Sequence, residues 1–171
     1  LPSGAENLNY VLYTDESPYK MQREWLDRLP FDIYSVNVHT GAKRLIGRSY
    51  RTAPKWSVNG KWAVMYDPIA QVWNKFDGAT GKVVNISDAI GYPMFMESYD
   101  KPAPAPAYGI AGWTADGNNV FLYDAYDWWK IDLTGERQPE CLTKGYGRKH
   151  GKSIRKMTSN IDKDVFQKDE K

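Results

Sequence analysis

The sequence predicts an all-β fold, a partial β-propeller of about three four-stranded antiparallel blades. Three observations point there. Residues 113–143 read strand, turn, strand, turn, strand: runs at 120–124, 128–133 and 141–143 are separated by Asp116-Gly117-type and Thr134-Gly135-type turn signals. The pairs Thr40-Gly41, Thr80-Gly81 and Thr134-Gly135 recur 40 and 54 residues apart. Trp56…Gly60 and Trp113…Gly117 share the pattern Trp-Ser/Thr-x-Asn/Asp-Gly. Repeats of about 40–50 residues with four short strands each mark propeller blades. Removing a proline-rich insertion brings the longer interval near forty. An irregular β-sandwich is the alternative, and it requires two signatures to recur in the same order by coincidence.

In chain order, residues 1–7 are a loose lead-in and 9–14 alternate as a first strand. Residues 15–30 have two readings. Tyr19, Met21, Trp25, Leu26 and Leu29 form one face of a short helix near 18–29, started by Ser17-Pro18 and stopped by Pro30, or the stretch is a loop insertion. Residues 32–38 are a strand, Thr40-Gly41 turns the chain, and 43–46 return. The second unit opens at 54–60 and continues in strands at 62–67, 71–77 and 83–87. Pro93, Pro102, Pro104 and Pro106 make 88–108 an extended, stiff connection that donates few backbone hydrogen bonds. The third unit follows directly. One propeller segment therefore covers 1–171, with blades at 8–48, 53–87 and 109–143, and an extra strand (154–159) or tail in 144–171. Three blades are fewer than the 4–8 that close a propeller. Open edges of this kind invite self-association, and the chain reads as part of a larger propeller.

Composition narrows the function classes. The chain has 171 residues, 42% of them hydrophobic, with seven Trp and twelve Tyr, too rich for disorder. A net charge of +2 with both signs dispersed gives no nucleic-acid footprint. The basic run Lys144, Arg148, Lys149, Lys152, Arg155, Lys156 reads as a solvated loop, with a polyanion patch as the sharper alternative. The single Cys141 excludes an internal disulfide and a cysteine zinc cluster. No apolar run approaches the ~20 residues of a membrane span, and Leu1-Pro2-Ser3-Gly4 lacks the basic start and apolar core of a signal peptide.

The chemistry is sparse. No serine lies in Gly-x-Ser-x-Gly; Ser57 reads as a hairpin residue. His39 and His150 sit beside glycines without a nucleophile at a telling spacing. Asp67, Asp77, Asp116, Asp124, Asp127 and Asp132 fall at strand ends and turns, where Asp serves local hydrogen bonding. Asp124 and Asp127, flanking Tyr126, are the pair with glycosidase-like potential. Asp116-Gly117-Asn118-Asn119 resembles part of a calcium loop but lacks the distant Glu. No metal or cofactor is expected, and no catalytic residue. Trp128 and Trp129 must point to opposite faces of their strand. Tyr92, Phe95, Tyr99 and Tyr108 surround the proline-rich stretch, where exposed rings can stack on a sugar or peptide. The substrate-contact candidates are Asp124, Tyr126, Asp127, Trp129, Tyr99 and Tyr108.

Three stretches carry a family resemblance: residues 113–117; Leu122-Tyr123-Asp124-Ala125-Tyr126-Asp127-Trp128-Trp129-Lys130-Ile131-Asp132; and Leu142-Thr143-Lys144-Gly145 with Arg148. With the upstream unit 32–41, they resemble the N-terminal propeller of prolyl-oligopeptidase-family serine peptidases, closest to large secreted or periplasmic bacterial forms. The resemblance covers roughly 32–155, and TolB-type propellers share much of it. It implies a propeller that limits which peptides reach a separate α/β-hydrolase domain. That domain carries the catalytic triad, so no catalytic residue transfers to this chain. What transfers is a gating role with peptide contact near Tyr126. The alternative is a self-standing binding module for a glycan or protein partner, using Tyr126, Trp129 and the 91–108 loop. A weaker third reading is a glycoside-active enzyme using Asp124 or Asp127.

Overall fold

A computed structural model describes residues 8–26, 28–156 and 165–166. The chain is mostly β, built as three sheets, none closed on itself. Sheet 1 holds β1 (Tyr10–Asp15), β2 (Phe31–Asn37) and β3 (Lys43–Tyr50), antiparallel and in that order. Sheet 2 holds β4 (Lys55–Trp56), β5 (Trp62–Asp67), β6 (Val72–Asp77) and β7 (Val83–Asn85), again antiparallel in chain order. Sheet 3 holds β8 (Ile110–Thr114), β9 (Asn119–Tyr123), β10 (Trp128–Asp132) and β11 (Glu140–Cys141), with β12 (Val165–Phe166) added parallel to β8.

The repeated turn residues do the same work in each sheet. Asn37 Oδ1 accepts the N–H groups of His39 and Thr40, and Asp77 Oδ1 accepts those of Ala79 and Thr80. Asp132 Oδ1 accepts the N–H of Thr134. The shared opening pattern folds into one shared constellation. Ser57 Oγ donates to Asn59 Oδ1 (2.8 Å) and accepts the Trp62 N–H (3.2 Å). Thr114 Oγ1 donates to Asp116 Oδ1 (2.5 Å) and accepts the Asn119 N–H (3.0 Å). These two turns also touch: Asn59 Nδ2 donates to the Asp116 carbonyl at 2.8 Å. Gly117, at φ +68, lies so close that an added Cβ would fall 2.7 Å from the Asn59 backbone nitrogen.

The sheets stack through two cores. Ala63, Met65 and Phe76 of sheet 2 meet Ile33 and Tyr50 of sheet 1. Val64, Tyr66 and Trp73, from the same two strands, meet Trp113, Val120, Leu122, Trp129 and Ile131 of sheet 3. Four successive residues of β5, from Ala63 to Tyr66, are therefore buried. Sheet 2 is the middle layer, which is why its central strand is apolar without alternation. Each fully buried aliphatic or aromatic side chain contributes about 1.5–3 kcal/mol.

The structure corrects four expectations. The 18–29 helix is absent; a 3-10 turn spans Ser17–Gln22 and buries nothing. Met21 and Trp25 are largely exposed, so their spacing marks no packed face. Tyr19 is the anchor instead, donating its hydroxyl to buried Asp32 at 2.5 Å. Sheet 1 has three strands among the described residues, not four; residues 1–7, which precede β1, lie outside them. The 88–108 stretch is not simply extended. A 3-10 turn (Asp88–Ile90) and a bridge between Phe95 and Ala107 fold it back, and Ile90 and Met94 enter the core between sheets 2 and 3. Finally, residues 154–156 form no strand, and 157–159 lie outside the described residues. The extra strand is β12.

Candidate functional site

The site is built around the loop between β9 and β10, residues 124–127. Asp124 is fully buried. Its Oδ1 accepts the N–H groups of Tyr126 (2.7 Å) and Asp127 (2.6 Å), closing the hairpin. Its Oδ2 accepts the Trp129 indole N–H (3.0 Å) and the Arg148 guanidinium (3.1 Å). Asp127, 1% exposed, reaches the other way. Its Oδ1 accepts the Thr143 hydroxyl (2.5 Å) and the Gly147 N–H (2.9 Å), and its Oδ2 accepts the Arg148 N–H (3.1 Å).

Those last two donors belong to the first turn of a short helix, α1 (Tyr146–His150). Helix N-termini leave such N–H groups without partners, and a carboxylate satisfies them in charge and geometry. Burial pushes the Asp127 carboxyl up, but the Thr143 hydroxyl, the two backbone donors and the Arg148 charge outweigh it. The net result lies below the ordinary carboxylate value. The tail continues around the loop. The Ile154 N–H donates to the Tyr126 carbonyl, and Arg155 donates to the carbonyls of Asp124 and Ala125 while its guanidinium lies 4.7 Å from the Tyr123 ring. The basic run read as a solvated loop is thus partly structural: Arg148 and Arg155 are clamps, and Lys144, Lys149 and Lys152 remain exposed.

Beside this network lies a cleft of about 430 Å³ lined by Tyr92, Asp127, Trp129, Cys141, Gly145, Arg148 and Lys149. The Arg148 guanidinium sits 3.9 Å from the Tyr92 ring centre and 5.1 Å from that of Tyr126. The rings of Tyr92 and Trp129 are 6.0 Å apart. Tyr92 is 45% exposed, which gives the cleft an accessible aromatic wall.

Of the six candidates, the structure brings Asp124, Tyr126, Asp127 and Trp129 together. Tyr108 does not line the cleft; its ring lies 5.5 Å from the Arg155 guanidinium. Tyr99 takes no part; its N–H donates to the Met96 carbonyl in the insertion. Trp129 turns into the core while Trp128, on the opposite face, donates its indole N–H to the Ile154 carbonyl. Five lining residues were not among the candidates: Tyr92, Cys141, Gly145, Arg148 and Lys149. The basic run and the aromatics around the prolines were the only signals for them.

Both carboxylates are engaged inside the fold, with donors on every oxygen. Cys141 Sγ accepts the Gly145 N–H and meets Thr143, with no histidine among its partners. His39 contacts Asn9, and His150 stacks near Tyr146. Among the described residues, no three His, Cys, Asp or Glu side chains gather as a metal requires. No family model matches the chain, and no curated protein matches it.

Proposed function

We propose that this chain is a non-catalytic β-propeller segment of a secreted or periplasmic serine peptidase of the prolyl-oligopeptidase type. In this reading the sheets are blades, and the cleft at the 124–127 loop contacts peptide on its way to a separate hydrolase domain. One observation carries it: sheets 2 and 3 stack face to face and carry the same hydrogen-bonded opening turn, the second turn resting on the first. Radially repeated wedges bury their faces in that way. The aromatic cleft supplies a surface for peptide, and the saturated carboxylates leave the chemistry to another domain.

The experiment has two parts. Coding sequence continuing past Lys171 is expected to encode a Gly-x-Ser-x-Gly elbow, and the isolated chain is expected to bind peptides without cleaving prolyl or acyl-peptide substrates. A stop codon directly after Lys171, or turnover by the chain alone, refutes the reading. Exposed Tyr92 next to Trp129 also suits a sugar ring. Micromolar binding to a glycan array by a stable monomer would replace the peptidase reading with a self-standing binding module.

A further inference from the structure

We infer that the cleft beside the 124–127 loop selects a carboxylate, carried by an acidic side chain of the bound peptide. The inference rests on the reading that this surface contacts peptide. It begins with how the local charges are spent. Asp124 and Asp127 are 0% and 1% exposed, and their oxygens are filled by seven hydrogen bonds from within the fold. They neutralise Arg148 and the start of α1; Asp127 borders the cleft, but at 1% exposure its oxygens are turned to donors within the fold.

The cations face the other way. The Arg148 side chain keeps 29% exposure. It is held at its tip by Asp124 and flanked by Tyr92 and Tyr126, so its planar fork is fixed before any ligand arrives. Lys149, next in the chain and exposed, borders the same cleft. No acidic side chain is paired with its ammonium among the described residues; the only ion pair found there is Arg148–Asp124. Lys144 and Lys152 add exposed positive charge at either end of α1. A carboxylate entering here meets a preorganised guanidinium and an unspent ammonium. The methylenes that carry it lie against Trp129, Cys141 and Tyr92. Glutamine offers the same shape without the charge and loses the ammonium contact.

Two blocked pentapeptides test this: acetyl-Ala-Tyr-Glu-Ala-Ala-amide, and its counterpart with glutamine for glutamate. Calorimetric titration of the full chain at low salt is expected to show the glutamate peptide binding about tenfold more tightly. The preference should shrink as salt shortens the screening length to about 10 Å at 0.1 M. In Lys149→Met, a change that leaves the Asp124–Arg148 clamp intact, it should fall below about twofold. Equal binding of the two peptides by the native chain overturns the carboxylate inference alone. So does a preference that survives Lys149→Met. Failure of both peptides to bind at millimolar concentration overturns the peptide-contact reading as well.

Discussion

Replacing Asp127 with alanine separates a structural carboxylate from a chemical one. The side chain is buried and holds three donors: the Thr143 hydroxyl, the Gly147 N–H and the Arg148 N–H. Alanine removes all three acceptor contacts and admits no equivalent. The hydroxyl can rotate to another acceptor, with Cys141 Sγ 3.5 Å away. The two backbone donors cannot rotate. Each buried donor left without a partner costs about 1–3 kcal/mol, so the substitution should cost about 3 kcal/mol in total. For a domain of this size that lowers the melting temperature by about 6–12 °C. Asp127→Asn keeps one acceptor oxygen but turns an amide toward a donor, and it should fall between the two. The assay is urea unfolding at neutral pH, reading the midpoint with the slope unchanged. A cost under about 1 kcal/mol for Asp127→Ala would refute the reasoning. It would mean that α1 does not depend on this carboxylate, leaving Asp127 available to a ligand.

Two further predictions follow from the same structure. The carboxyls of Asp116, Asp127 and Asp132 all lie below their ordinary value. For Asp116 the Thr114 hydroxyl leads; for Asp132 burial is outweighed by donors from Thr134, Arg137 and Glu136. A carboxyl depressed in the folded state adds stability that is complete above its unfolded value of about 3.9 and is lost as pH falls through the folded one. Urea midpoints should therefore hold level from neutral pH to about 5 and drop below about 4; a level profile down to pH 3 would contradict the network. The second prediction concerns the face of sheet 1 turned away from sheet 2. There Tyr13, 47% exposed, lies 6.2 Å from Tyr34, Val11 pairs with Val36, and Lys43 sits over both rings. An aromatic and aliphatic sheet face of this kind should draw copies together. Sedimentation should show concentration-dependent association that Val36→Glu abolishes, and a strict monomer at about 100 µM would count against it.

The strands were legible because their signals are local. Residues 62–67 were read as a strand from their apolar run, and that is β5. The Thr-Gly pairs marked turns because the sequence there demands positive φ, and Gly41, Gly81 and Gly135 all adopt it. The candidate site was half legible. Asp124 and Asp127 stood out by type and position, but their role depends on partners far along the chain. Arg148 meets Asp124 only after β10, β11 and the turn into α1 bring it back, a closure that no short-range pattern encodes. Of the two readings of residues 15–30, the loop insertion stands, with a 3-10 turn at Ser17–Gln22, and the 18–29 helix falls for the opposite reason. Its periodicity was real, but Ser17-Pro18 starts only a tight turn, and no sheet surface lies where Met21 and Trp25 point. The proline series was read as an extended, stiff connection, whereas the stretch folds back through the Phe95–Ala107 bridge. What composition could not show was Ile90 and Met94 filling a gap between two sheets.

The internal repeat also acts as a control on which features of the third sheet are special. Asp67 and Asp124 hold the same place in their hairpins, and each Oδ1 accepts two loop N–H groups. That much is what a tight loop requires. The second oxygens differ. Asp67 Oδ2 accepts a long bond of 3.4 Å from Tyr50 across the core between sheets 1 and 2. Asp124 Oδ2 instead gathers Trp129 and Arg148, and through Arg148 the ring of Tyr92. A duplicated unit would need only the first pattern to fold. The second adds a cation, an exposed ring and a folded tail at one sheet alone, and a cleft opens where they meet. Asp67→Asn and Asp124→Asn would share the cost of a weakened hairpin, so any loss of ligand binding confined to Asp124→Asn measures what the third sheet has beyond the repeat.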